Sequence, residues 1–186
     1  MKEIYLILTY SGTVMSRFIR LATNDEFAHV SIALDKELKE MYSFGRINPY
    51  NPFFGGFVRE GLDFGTFKRF ENKTLTNIYT LQVTNYQYKK LKRRLNRMCK
   101  SNKKYKFNIY GLFAARFRYK IKRKDSFYCA EFVKRLMDEA KIENNLPEVA
   151  KPEDFKRLNN VNLCYRGKLK NYKVKINLNE QQKQIN

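Results

Sequence analysis

The first apolar run, Ile4 to Thr9, is short and almost unbroken, the pattern of a buried strand. Ser11-Gly12-Thr13 interrupts it, and Val14, Phe18, Ile19 and Leu21 then recur at helical spacing, so the chain opens strand, turn, helix, with the helix over 13–22. Ala28 to Leu34 reads as a strand, Asp35-Lys36 as a turn, and Lys39 to Phe44 as the partner strand of a hairpin. Between 45 and 61, six Gly and Pro residues interleave with Tyr50, Phe53, Phe54 and Phe57, which excludes regular helix. An ordered surface loop is expected there. Its aromatics either fold back over the core or, between Asn48 and Phe57, wall a binding cleft.

Thr76 to Thr84 predicts another strand. Tyr88, Leu91, Leu95 and Met98 follow at helical spacing with Lys89, Lys90, Lys92, Arg93, Arg94 and Arg97 between them, a strongly basic amphipathic helix. Tyr110, Phe113, Ala114 and Phe117 repeat the helical pattern as a buried stripe. Cys129, Phe132, Val133, Leu136, Met137 and Ala140 give the cleanest helix, opened by a capping signal at Asp125-Ser126. Pro152-Glu153-Asp154 starts a short helix, and Val161 to Arg166 and Tyr172 to Ile176 read as final strands around Gly167. Asn177 to Asn186 is a polar tail expected to be frayed. Without a repeat or a second boundary, the pattern predicts one α+β domain over 3–176, a central antiparallel sheet with the Cys129 helix packed against it.

Composition changes the picture in two ways. Thirty-eight Lys plus Arg against eighteen Asp plus Glu, a net charge of +20 over 186 residues, predicts a surface that attracts anions. Between Asn72 and Lys124 there is no acid at all, and Tyr105, Phe107, Tyr110 and Tyr119 lie among the cations of 89–124, a mixture suited to nucleic acid or an anionic membrane. The abundance of Lys, Asn, Ile, Tyr and Phe also fits AT-rich coding as a source of the basicity. Second, Cys99, Cys129 and Cys164 are odd in number, unpaired in spacing and accompanied by one histidine, which argues against a disulfide framework and against a zinc site. A reduced chain without metal or other cofactor is expected. The N-terminus lacks the features of a signal peptide and no stretch reaches the ~20 apolar residues of a spanning helix, so a cytoplasmic location is expected.

The candidate chemistry rests on Cys129 in Phe127-Tyr128-Cys129-Ala130-Glu131-Phe132-Val133 and on His29, the only histidine, a hundred residues upstream. A thiol in the first turn of a helix feels unpaired N–H groups and the positive end of the helix dipole, which favour thiolate. Cys129 also lies on the apolar stripe of its helix, where a structural buried thiol is equally at home.

The order Phe27-Ala28-His29-Val30-Ser31-Ile32-Ala33-Leu34, then Met41-Tyr42-Ser43-Phe44-Gly45, then the Cys129 segment, resembles the circularly permuted papain-like proteins related to NlpC-type hydrolases, the YiiX-like group, over roughly residues 3–140. In these the His strand precedes the Cys helix. The resemblance implies a papain-like fold, Cys129 as nucleophile, His29 as general base and the Cys129 backbone N–H in the oxyanion site. It implies amide or ester cleavage through an acyl-thioenzyme, on a peptide, a peptidoglycan-type or a lipid acyl substrate. A third polar residue that orients the imidazole is expected on the strand after the His strand. Hairpin alignment puts Tyr42 there, with Glu40 two residues away on the same face as the substitute, and Ser43 on the opposite face.

Overall fold

The computed structural model describes residues 1–47, 55–102, 104–173 and 175–176. Its centre is a six-stranded antiparallel sheet. The strands are β1 (Lys2–Tyr10), β2 (His29–Ala33), β3 (Met41–Arg46), β4 (Gly55–Glu60), β5 (Leu75–Val83) and, last in the chain, Val161–Lys168, here β8. Their order across the sheet is β4-β3-β2-β1-β5-β8. β1 is therefore central, paired with β2 on one side and β5 on the other. That position explains its unbroken apolar run: Ile4, Leu6 and Leu8 enter one hydrophobic layer while Tyr5 and Ile7 enter the other.

The first layer joins β1, β2 and β3 to α3 (Asn85–Lys100) and α5 (Cys129–Glu139), through Leu91, Leu95 and Met98 of the former and Phe132, Val133, Leu136 and Met137 of the latter. At its middle Phe44 is fully buried, with the rings of Phe132, Phe127, Phe57 and Tyr105 around it at 5.0–6.1 Å between centroids. The second layer covers the other face with Phe67 of α2 (Gly65–Phe70) and with Leu169 and Tyr172, which follow β8. Helix ends follow local chemistry. Thr13 caps α1 (Val14–Thr23) by accepting from Ser16 N–H, and Thr84 with Gln87 forms a reciprocal capping box at the start of α3.

Several expectations change. The 45–61 segment is not all loop: Gly55–Glu60 pairs antiparallel with β3 from Arg46↔Gly55 to Met41↔Glu60. Its glycines face close neighbours, a Cβ on Gly56 meeting the Tyr105 carbonyl at 2.4 Å, so the residues that suggested a loop instead let a strand pass beneath residue 105. Phe57 folds onto the core, and the remainder of the cleft-wall stretch, 48–54, lies outside the described residues, as does the tail from 177. α5 starts at Cys129 with Tyr128 as N-cap and no side-chain cap, while Asp125 adopts a positive φ and Ser126 belongs to β7 (Ser126–Phe127), which pairs with β6 (Lys106–Phe107). The capping signal at 125–126 is thus used as a turn. α4 (Ile109–Ala114) buries Gly111 and Leu112, leaving Tyr110 and Phe117 exposed at 61% and 72%, contrary to the expected stripe. Residues 169–173 are helical rather than extended, which turns Leu169 and Tyr172 together onto the second layer.

Replacing Phe44 by Ala removes the ring on which four other aromatics converge, and is expected to cost ~3–5 kcal/mol of folding stability. Urea denaturation checks this; a loss below ~1 kcal/mol would mean the first layer is not packed around that ring.

Candidate functional site

His29 is the first residue of β2 and faces Thr9 across β1, where Ala28 N–H donates to the Thr9 carbonyl at 3.1 Å. Three of the four residues before β2 are clamped by a distant segment: Lys151 Nζ bonds Asp25 Oδ1 at 2.8 Å, Lys156 pairs with Glu26, and Phe27 N–H donates to Glu153 Oε2 at 3.3 Å. The imidazole therefore leaves a fixed piece of backbone. Its side chain retains 22% exposure.

Nε2 of His29 lies 3.4 Å from Glu60 Oε2 and 3.2 Å from Ser31 Oγ. Ser31 donates to Glu60 Oε2 at 2.9 Å, and Ser43 donates to the same oxygen at 2.8 Å. Because the Ser31 hydrogen is committed to Glu60, its oxygen accepts from the imidazole, and a proton on Nε2 is shared between Ser31 and Glu60. The Cys129 thiol also acts on this ring, as a hydrogen-bond partner that raises its proton affinity. Cys129 is the first residue of α5 and only 2% exposed.

Electrostatics follow from this arrangement. Burial works against a charged His29, but the Glu60 carboxylate, helped by hydrogen bonds to Cys129 and Glu60, overrides it and pushes the imidazole up to about 10. Burial likewise opposes the Glu60 charge, and His29 with the two serine hydroxyls holds the carboxyl below its ordinary range. At neutral pH the pair is imidazolium and carboxylate. Its contribution to stability is complete between the free-group values of 4.5 and 6.5; it is lost as pH falls through the lowered Glu60 value and as pH rises towards 10.

The expected orienting residues sit elsewhere. Tyr42 donates its hydroxyl to Glu40 Oε2 at 2.5 Å and Glu40 pairs with Arg59 at 3.3 Å, and neither has a hydrogen bond to His29. Strand parity gives the reason. Tyr42 is directly opposite Ile32, three residues from His29, so it projects into the first hydrophobic layer with Ile32 and Phe44. Ser43 and Glu60 share the His29 face, because Glu60 is opposite Met41 and Ser43 opposite Val58 on the same alternation. The residue that meets the imidazole thus comes from β4, one strand beyond the expected one. A signal was present: Ser31 and Ser43 stand at buried positions of otherwise apolar strands, and buried hydroxyls need polar partners.

A cavity of about 70 Å³ opens beside the imidazole, bounded by Ser11, Thr13, Ser16, Arg46, His29 and Glu60; Cys129 does not line it. Among the described residues no group of three or more His, Cys, Asp or Glu side chains is arranged to hold a metal ion. Nor, among them, is any helix long and apolar enough to cross a membrane. Comparison with family models, with curated proteins and with solved structures returns no match.

In Glu60→Gln the burial of His29 is no longer opposed by a carboxylate, so its proton affinity is expected to drop well below the wild-type value. The single histidine makes this readable from one set of imidazole NMR signals titrated from pH 5 to 11. An unchanged midpoint would rule out the pairing.

Proposed function

We propose that the chain is a cysteine hydrolase of the permuted papain-like, NlpC-related type, cleaving an amide or ester bond through an acyl-thioenzyme. The observation that carries this reading is that His29 is engaged both by the buried Glu60 carboxylate and by the Cys129 thiol, with the sulfur at the first position of a helix. Cys129 Sγ attacks the acyl carbon and its proton resides on His29, where Glu60 favours it. The first-turn N–H of Cys129, uncapped by any side chain, donates to the oxyanion. The carbon–nitrogen or carbon–oxygen bond breaks as the imidazolium protonates the leaving group. Neutral His29 then takes a proton from water, the water oxygen attacks the thioester, the carbon–sulfur bond breaks and the thiol is restored. Glu60 acts through His29 as a positioning residue, the role expected of Tyr42 or Glu40. Since the resting sulfur is buried, the reading includes an opening step that admits the acyl carbon before chemistry. Peptide, cell-wall peptide and lipid acyl groups are the substrate classes this mechanism serves.

With p-nitrophenyl acetate as probe, peptide mapping is expected to find the acetyl group on Cys129. Trapping should vanish in Cys129→Ala and slow by about 10²-fold or more in His29→Ala. With an amide or alkyl ester, whose leaving group must take a proton from the imidazolium, turnover should decline above about pH 10, and that limb should move to lower pH in Glu60→Gln. Acetylation confined to the exposed Cys99 and Cys164, or absent, would refute the hydrolase.

A second reading, binding to a nucleic acid or an anionic membrane surface, is favoured by one observation. Tyr110, Phe117 and Tyr119 are exposed at 61–72%, with the Arg123 guanidinium over the Tyr110 ring at 5.1 Å. Aromatic faces and cations are thus available together to an anionic surface. Affinity for single-stranded RNA or for phosphatidylserine vesicles is expected to fall steeply with salt, drop on Tyr110→Ala with Tyr119→Ala, and survive Cys129→Ala. Binding that ignores the tyrosines reduces this reading to net charge.

A further inference from the structure

We infer that the cavity beside His29 is a subsite for a carboxylate carried by the substrate, an assignment that rests on the hydrolase reading and narrows its substrate class. Arg46, at the end of β3, brings a guanidinium with five N–H donors to this cavity. Its one hydrogen bond among the described residues is a long contact, 3.5 Å to Thr13 Oγ1, and its charge lies against the Phe70 ring at 5.8 Å. Among the described residues, therefore, little of this donor capacity is spent. Burial depresses its proton affinity and Glu60 is the carboxylate that acts against this, yet Glu60 is already engaged by His29 and two serines.

The lining is cationic on balance. Arg46 and His29 face one acid, Glu60, beside the hydroxyls of Ser11, Thr13 and Ser16, while Ile19, Ala28 and Phe67 supply the apolar part of the wall. Ser11 and Thr13 lie 3.1 Å apart and Thr13 donates to Ser16 at 3.3 Å, so these groups form a continuous polar edge. About 70 Å³ is the share of roughly two water molecules, enough for one planar carboxylate, which matches a guanidinium bidentately. A hydrocarbon acyl chain would leave the same donors buried without partners. The site accordingly selects amides or esters with a carboxylate close to the scissile carbonyl, as in acidic peptides, over neutral lipid acyl groups.

Two measurements test this on the full chain. In the first, sodium acetate is titrated while the His29 imidazole NMR signals are followed, with inorganic phosphate as the alternative oxyanion. A saturable shift with acetate, retained in Cys129→Ser, weakened at least about tenfold in Arg46→Gln and partly rescued in Arg46→Lys, supports the subsite. No saturable shift, equal binding to Arg46→Gln, or tighter phosphate than acetate binding overturns it. Thermal unfolding of both Arg46 variants identifies any that fail to fold; if Arg46→Gln is lost, Arg46→Lys and Thr13→Val carry the comparison, and undiminished acetate binding in both overturns the subsite.

In the second, Cys129 is alkylated with iodoacetate and with its neutral analogue iodoacetamide, and the exposed Cys99 and Cys164 serve as internal references for the global charge. The iodoacetate preference is expected to be about tenfold larger at Cys129 than at either reference, and to collapse in Arg46→Gln. Equal preferences at all three cysteines overturn the inference while leaving the hydrolase intact. Failure of both reagents at Cys129, together with absent acetylation, removes the hydrolase, and the acetate titration still decides the cavity.

Discussion

A carboxylate withdrawn from water must find a partner, and in this molecule that constraint falls on Glu60. Its side chain is 9% exposed, and one of its oxygens receives Ser31, Ser43 and the His29 imidazole. An unpaired charge at that depth would cost several kcal/mol, so strands β2, β3 and β4 are held in the register that brings these four side chains together. The same pairing keeps the proton on His29. A histidine in this setting is already charged at neutral pH, the state in which the proposed hydrolase would protonate its leaving group. The structural role and the proposed chemical one therefore coincide in one ion pair.

The thiol arrives from a different direction. α5 packs its apolar stripe into the layer around Phe44, and Cys129 belongs to that stripe as well as to the first turn. The packing role of this cysteine and its proposed role as nucleophile thus rest on a single placement. Burial of the sulfur follows from the packing, and nearness to the imidazole follows from where the helix begins. Tyr128 fixes that beginning from outside the helix, its hydroxyl donating to the Ala150 carbonyl at 2.9 Å.

Legibility in the sequence divided along physical lines. Strands and helices buried on a clear face could be read: β1, β2, β5, α3 and α5 all lie where periodicity put them, within a few residues. His29 and Cys129 stood out as candidates because their residue types are rare in this chain. Glu60 was hidden for two reasons. Its strand begins with Gly55 and Gly56, which read as loop although they serve close passage beneath Phe107 and Tyr105, and strand parity cannot be judged until the exact hairpin register is known. A shift of one residue exchanged Ser43 for Tyr42 and hid the acid behind it. The exposed rings at 110 and 117 were misread because α4 is only six residues long, too short for a period to decide which face is covered.

The clamp between residues 25–27 and 151–156 has a consequence for biogenesis. Asp25, Glu26 and Phe27 gain their partners from a stretch more than 120 positions later. During synthesis the imidazole strand emerges long before the lysines that anchor its approach, and the thiol helix also precedes them. A nascent chain halted before residue 151 carries the three side chains of the proposed site without the brace that fixes the approach to the imidazole, so that approach is secured only once 151–156 have been made.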